Sequence, residues 1–392
     1  MKQLIIFIGL SFSWGYAQNV QEYWLQSRMN GVYELPTGSN VQFWGYGDNT
    51  PPNPGNKIFL PGPTLRFKEG DSAIVHFQNN SPEMHTIHFH GLDVPTAYDG
   101  VPHTSVQILP NATFDYKFKC AHAGTFLYHC HVLTPLHLAM GMYGMVIVDP
   151  AAGTGTLFEN GPAYQYEYPL LASEFDLDWN TNPLSPGPFQ LFEANYLMIN
   201  GKSGAQLLDG THDLYAQINT PMAIRLANIG YGKVTFSLPA SVQVAVVASD
   251  GRPLPLAFST SQIEVYPGER YDLIVSSAFV LSDFIEVVYE DLRDQQIMGT
   301  NQVPFNIGLL STHQLPSESY LTLAPNPVQD ILHLNNAAEQ PLQVRCLNAQ
   351  GQTLVEFEIP VGVSNQVLAV PSGLYFLQDQ FGQRLKFVKV GL

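Results

Sequence analysis

Two short histidine-rich runs set the terms on which this chain can fold: Met84-His85-Thr86-Ile87-His88-Phe89-His90-Gly91 and Tyr128-His129-Cys130-His131. Eight of the 12 histidines lie between His85 and His137, a concentration that scatter would not produce. In extended chain, side chains alternate between faces. His88 and His90 therefore share one face, and His85 takes the other. His129 and His131 share a face, with Cys130 opposite. Pairing two such strands gathers His88, His90, His129 and His131 on one side, and His85, Cys130, His137 and Met142 on the other.

The second set has a definite chemistry. Two imidazoles, one thiolate and a weak axial thioether are the ligands of a blue-copper electron-transfer site. Zinc takes Cys and His, but Met is a poor ligand for it and no C-x-x-C pair is present. A Cys-His nucleophile is disfavoured because the histidines beside Cys130 point to the other face. Any one of these histidines alone would more often be structural. The joint spacing H-x-x-H-x-H with H-C-H-x5-H-x4-M argues otherwise. Met140 and Met145 are rival axial ligands; Met140 is nearer His137 but is expected to face away, which favours Met142.

The rest of the chain reads as all-β. Its 392 residues allow two or three domains. With 32 Gly and 29 Pro, the chain suits many short strands joined by turns. Runs such as Ser72–Phe77, Met145–Val148, Ala223–Ala227 and Val242–Val247 have strand character. The expected division is a signal peptide over 1–17, a first β-sandwich over 18–150, a second over 151–310, a linker over 311–319 and a small sandwich over 320–392. Ala151–Pro188 reads as a loop-rich lead into the second block. The signal reading rests on Lys2, the apolar run Leu4–Phe12 and the small residues before Gln18. That run is too short to span a bilayer. Net charge is −16, from 33 acidic and 17 basic residues, which disfavours nucleic acid and anionic membrane as partners. Cys120, Cys130 and Cys346 are too few for a disulfide framework, and Cys120 and Cys346 read as core.

At these residues the chain resembles the multicopper oxidases. In the first block the resemblance rests on Pro61-Gly62-Pro63-Thr64, Glu69-Gly70-Asp71, His88-Phe89-His90-Gly91-Leu92, Asp99-Gly100-Val101-Pro102 and Ala123–His129. In the second it rests on Ile199-Asn200-Gly201-Lys202, Arg225-Leu226-Ala227-Asn228, Ser249-Asp250-Gly251 and Pro267–Asp272. The resemblance implies two cupredoxin-like Greek-key domains. It implies a type 1 copper that takes electrons from a small reducing substrate, a phenol or a metal ion. It further implies that Cys130 passes them to His129 and His131, and that a type 2/type 3 copper cluster at His88, His90, His129 and His131 reduces dioxygen. Asp99 matches an acid that aids proton delivery in some members; a turn-forming Asp-Gly is its plain structural reading.

The chain also departs from the family pattern. Ordinary three-domain members carry the type 1 site and half of the cluster's eight histidines in a last domain. Here the type 1 ligands lie in the first block, and beyond it only His212 and His313 precede the third block. A homo-oligomer is therefore expected, with two protomers each supplying four histidines. Copper nitrite reductases also place type 1 copper in the first domain, but His88 stands where their H-x-x-D-x-H motif has Asp. A blue-copper electron carrier or copper-binding protein without oxidase activity is the other alternative. The third block resembles the sorting domain of type IX secretion through Leu323–Val328, Leu347–Gln352, Gly373–Phe376 and Lys386–Val390. That implies a secreted or surface-bound protein.

Overall fold

The computed structural model describes residues 19–51, 55–185 and 187–308, together with the strands and a few flanking residues of the segment beyond 320. The expected signal peptide and linker lie outside the described residues. Two compact units divide between Ile307 and Gly308.

In the first unit, residues up to Asp149 build two four-stranded sheets. One contains β1 (Val20–Glu34), β2 (Asn40–Asp48), β4 (Ser72–Asn79) and β6 (Thr113–Lys119), in the order β2-β1-β4-β6. The other contains β3 (Leu65–Lys68), β5 (His88–His90), β7 (Gly124–His129) and β8 (Tyr143–Asp149), in the order β3-β8-β7-β5. The parallel pairs β1·β4 and β3·β8 break the simple hairpin order. A one-and-a-half-turn helix, α1 (Thr134–Ala139), links β7 to β8. Between the sheets lies a core that includes Trp44, Tyr46, Phe77, Phe89, Phe126 and Tyr128.

The second half of the unit packs a six-stranded sheet on a five-stranded one. Its strands are β9 (Tyr166–Phe175), β10 (Tyr196–Ile199), β11 (Leu214–Gln217), β12 (Met222–Asn228), β13 (Lys233–Ser237), β14 (Gln243–Ser249), β15 (Arg252–Phe258), β16 (Gln262–Val265), β17 (Arg270–Ser276), β18 (Leu281–Glu290) and β19 (Ile297–Gly308). The sheet orders are β10-β9-β12-β17-β14-β15 and β11-β19-β18-β13-β16. Their inner faces bury Ile224, Leu226, Val246, Leu273, Phe236, Val287 and Phe305. A short helix, α2 (Leu177–Thr181), is capped by Asp176, whose Oδ1 accepts from the Asp178 and Trp179 amides.

The two sandwiches meet face to face, which explains why β7, β8 and β12 are buried at every position. Along β7, Phe126, Tyr128 and the following Cys130 enter their own core. Leu127, on the other face, packs with Tyr143, Met145, Leu171, Ala227 and Ile229 of the facing surfaces. A ladder of charges crosses the same boundary. Arg66 holds Asp149 at 2.5 Å and Glu167 at 2.7 Å. Glu167 holds Arg225 at 2.6 Å, and Arg225 reaches Thr125 Oγ1 at 3.0 Å beside the buried Asp272.

β9 corrects the loop-rich reading of Ala151–Pro188. Its Leu170–Phe175 stretch is buried without a break, so it carries no period-2 signal, and Pro169 argues locally against a central strand. Cys120 sits one residue past β6, buried as expected of a core residue.

In the second unit, described by itself, Leu321–Ala324, Ile331–Asn336 and Gly362–Val367 form one sheet. Leu342–Asn348, Thr353–Ile359, Gly373–Asp379 and Arg384–Lys389 form a second. Leu332, Leu334, Val344, Cys346, Tyr375 and Leu377 belong to its core.

Candidate metal centre

The two faces of the β5–β7 pair carry two different sites. Antiparallel pairing sets His88 opposite His129 and His90 opposite Leu127. Phe89 enters the core, so His88 and His90 emerge on the face shared with His129. The strands are shorter than the sequence suggested. His85 is joined only by an isolated bridge to Ile108, and His131 lies beyond the end of β7. The interruption is chemical: the Ile87 amide donates to Tyr116 Oη, and the His131 amide to Thr86 Oγ1.

On the core side, ligand atoms of His85, Cys130 and His137 all lie within 4.8 Å of one another. Cys130 Sγ is 3.1 Å from His137 Nδ1 and 3.6 Å from His85 Nδ1. All three residues are fully buried. Local backbone bonds shape the loop: Cys130 N donates to Met142 O and Met142 N to His137 O, both at 3.0 Å. Gly141, at φ +107°, lies so close to Trp44 O that a Cβ would sit 2.9 Å from it. Trp44 meets the His137 ring edge-on at 5.4 Å. Met142 and Met140 both pack in the core with Cys130, whereas Met145 packs on the boundary with the second sandwich.

This pocket fits a metal by its own chemistry. Each Nδ1 faces sulfur, and neither Nε2 has a hydrogen-bond partner. Burial lowers His85 to about 3 and His137 to about 4, so both rings are neutral donors. Burial pushes the Cys130 thiol up to about 11, so loading a cation there must expel its proton.

On the other side, His88, His90 and His129 bring one ligand atom each within 4.8 Å of one another. His131 stands at their edge, its ring 5.2 Å from His88 and 5.8 Å from His129. His129 Nδ1 is 3.0 Å from Cys130 O and His88 Nδ1 is 2.8 Å from Asp99 O, which ties both Nδ1 atoms to carbonyls and leaves Nε2 as the ligating atom. Asp99 Oδ1 lies 3.2 Å from the same His88 nitrogen. Burial lowers His129 to about 3 and His90 to about 4, and lowers His131 too.

Four residues missed in the sequence stand at these sites. Glu83 Oε2 lies 3.6 Å from His137 Nε2. Tyr46 Oη donates to Thr86 O at 2.6 Å beside Cys130. From the second sandwich, Gly268 abuts His90, and the positive charge of Arg270 helps to depress that ring. Only Gly268 and Arg270 left a signal, inside a motif read for resemblance rather than for contact.

The multicopper oxidase family model matches residues 56–153. Copper resistance protein A of Escherichia coli is 43% identical over 256 residues, covering 55% of this chain and 41% of that protein. Laccase-15 of Oryza sativa subsp. japonica is 32% identical over 228 residues, covering 55% and 37%. The chain thus spans about two fifths of the length of these curated relatives. Among solved structures, the blue copper oxidase of Nitrosomonas europaea aligns with a TM-score of 0.59 at 25% identity, over 77% of this chain and 90% of that one. A copper nitrite reductase of the same organism shares the fold, with a TM-score of 0.55 at 22% identity over 73% and 94%. Residues 56–153 thus match the multicopper oxidase family model, and the pair of sandwiches has the cupredoxin-like fold of the solved copper oxidases.

Proposed function

We propose that the chain is a copper oxidoreductase of the multicopper-oxidase type, with a type 1 site at His85, Cys130, His137 and Met142 and a type 2/type 3 site at His88, His90, His129 and His131. Copper in these sites would supply one-electron chemistry, drawing electrons from a small reducing substrate and delivering them to dioxygen. The observation that carries the reading is the end of β7. Cys130 contributes sulfur to one face while its covalent neighbours His129 and His131 turn to the other, so a short run of bonds joins the two sites.

The chain's own groups divide the remaining work. Glu83 sets a carboxylate oxygen 3.6 Å from the buried His137 Nε2, on the side of the ring away from Cys130. Asp99 fixes the His88 ring and offers a carboxylate where protons are consumed. Arg270 and Gly268 close the His90 side from within the same chain. The remaining approach, by His88 and His131, is where a second protomer would add four more histidines. A two-fold pair would then hold about five coppers, one type 1 per chain and three shared. Anaerobic copper loading followed by oxygen uptake on a phenol, Cu(I) and Fe(II) tests the oxidase reading. A blue protein that exchanges electrons but consumes no oxygen would be a carrier, and nitric oxide formation from nitrite would make it a reductase.

We place the protein outside the cytoplasm, exported by the N-terminal signal and then through the C-terminal sorting domain. The β-architecture of the second unit is compatible with that role. Among the described residues no helix is long and apolar enough to cross a membrane. A mature secreted form beginning at Gln18 and lacking the last unit would support this route.

A further inference from the structure

Glu174, at the end of β9, is a buried carboxylate that the copper chemistry does not use. It is 4% exposed. Its Oε1 accepts from the Tyr231 amide at 2.6 Å and the Gly232 amide at 3.1 Å, and its Oε2 has no partner. The carboxylate lines a cavity of about 160 Å³ whose walls include Phe189, Phe192, Tyr231, Asp291 and Met298. The aromatic walls are mutually packed. Phe189 and Phe192 each meet Tyr231, at 4.8 and 5.3 Å, and Trp179 backs Phe192 at 5.3 Å. Arg293 also lines the cavity, but its charge is engaged elsewhere. It pairs with Asp291 at 2.5 Å and donates to Gln190 O at 3.1 Å. The acids Glu193 and Asp294 also act on Arg293.

We propose that this cavity binds a small organic cation, a protonated primary amine carrying one apolar group. Buried charges in proteins are paired, and Glu174 has no paired cation among the described residues. An ammonium bonded to Oε2 would supply the missing charge while the rings enclose it and face it with π density. A neutral hydroxyl would satisfy the hydrogen bond but leave the carboxylate uncompensated. The site adjoins α1, the helix that carries His137, because Tyr231 Oη donates to Pro135 O. The binding itself does not depend on copper or on the proposed oxidase activity.

Isothermal titration of the full chain with benzylamine and with benzyl alcohol, at mildly alkaline pH, tests the assignment. The expected result is saturable one-to-one binding of the benzylammonium ion, at least about tenfold tighter than benzyl alcohol. Glu174→Gln should weaken the amine by at least about tenfold and leave the alcohol unchanged. Met298→Lys gives a second variant, because Met298 Cε lies against Gly232 beside Glu174. Its tethered ammonium should occupy the site and abolish amine binding in a folded protein. Equal binding of amine and alcohol, no binding of the amine, or undiminished amine binding by a folded variant would each overturn the proposal.

Discussion

Ionising Glu174 costs the folded protein stability, and Glu174→Gln isolates that cost. Burial raises the carboxyl to about 7 from its ordinary 4.5, although the Tyr231 and Gly232 amides favour the charged form. The other charged group facing it is Asp291, which pushes in the same direction as burial. Between pH 4.5 and 7 the unfolded chain carries the carboxylate while the folded chain keeps the proton. The folded state then binds more protons, so stability falls as pH rises, by about 1.4 kcal/mol per pH unit. Over the whole window the loss is about 3 kcal/mol, after which the slope vanishes. Urea unfolding of wild type and Glu174→Gln, from about pH 4.5 to about pH 8, makes the measurement, since other titrating groups cancel in the difference. The variant should gain about 3 kcal/mol relative to wild type across that range. Parallel profiles, or a variant that loses ground as pH rises, would refute the account of this carboxyl.

Three further perturbations address the parts that hold and serve the metal sites. Arg225→Met removes the fully buried cation of the charge ladder and should cost about 3–5 kcal/mol, most of it restored when Asp272→Asn is added; equilibrium denaturation of the single and double variants checks this. Met142→Leu should alter the visible spectrum and reduction potential of the copper-loaded protein, while Met145→Leu, on the boundary between the sandwiches, should leave both unchanged. Asp99→Asn should retain the blue colour but slow oxygen uptake by about a hundredfold, as measured with an oxygen electrode.

What the sequence revealed follows from how local each signal is. The histidine spacing exposes the two faces of β5 and β7 because strand alternation operates over two or three residues. The same logic distinguishes Cys130 from Cys120 and Cys346. It fails at β9, where burial on both faces erases alternation. It fails also at Glu167–Arg225, Glu83–His137 and Gly268–His90, which meet only after the chain has folded back over many residues. Met142 and Met140 were separable in sequence only by expected facing, and both pack beside Cys130 because the turn at Gly141 folds the chain over the site. Glu174 gave no sequence signal at all. Its significance comes from an oxygen left without a partner once the aromatic residues of distant loops close around it.

How much copper the protein holds, and whether that copper reduces dioxygen, separates an oxidase from an electron carrier. Elemental analysis of the fully loaded, size-fractionated protein, coupled to oxygen uptake with a reducing phenol, tests that distinction most directly. The account predicts about five coppers per two-fold pair, a blue protein, and oxygen consumed as the phenol is oxidised. One copper per monomeric chain with no oxygen uptake would contradict it, leaving the four histidines without a catalytic role.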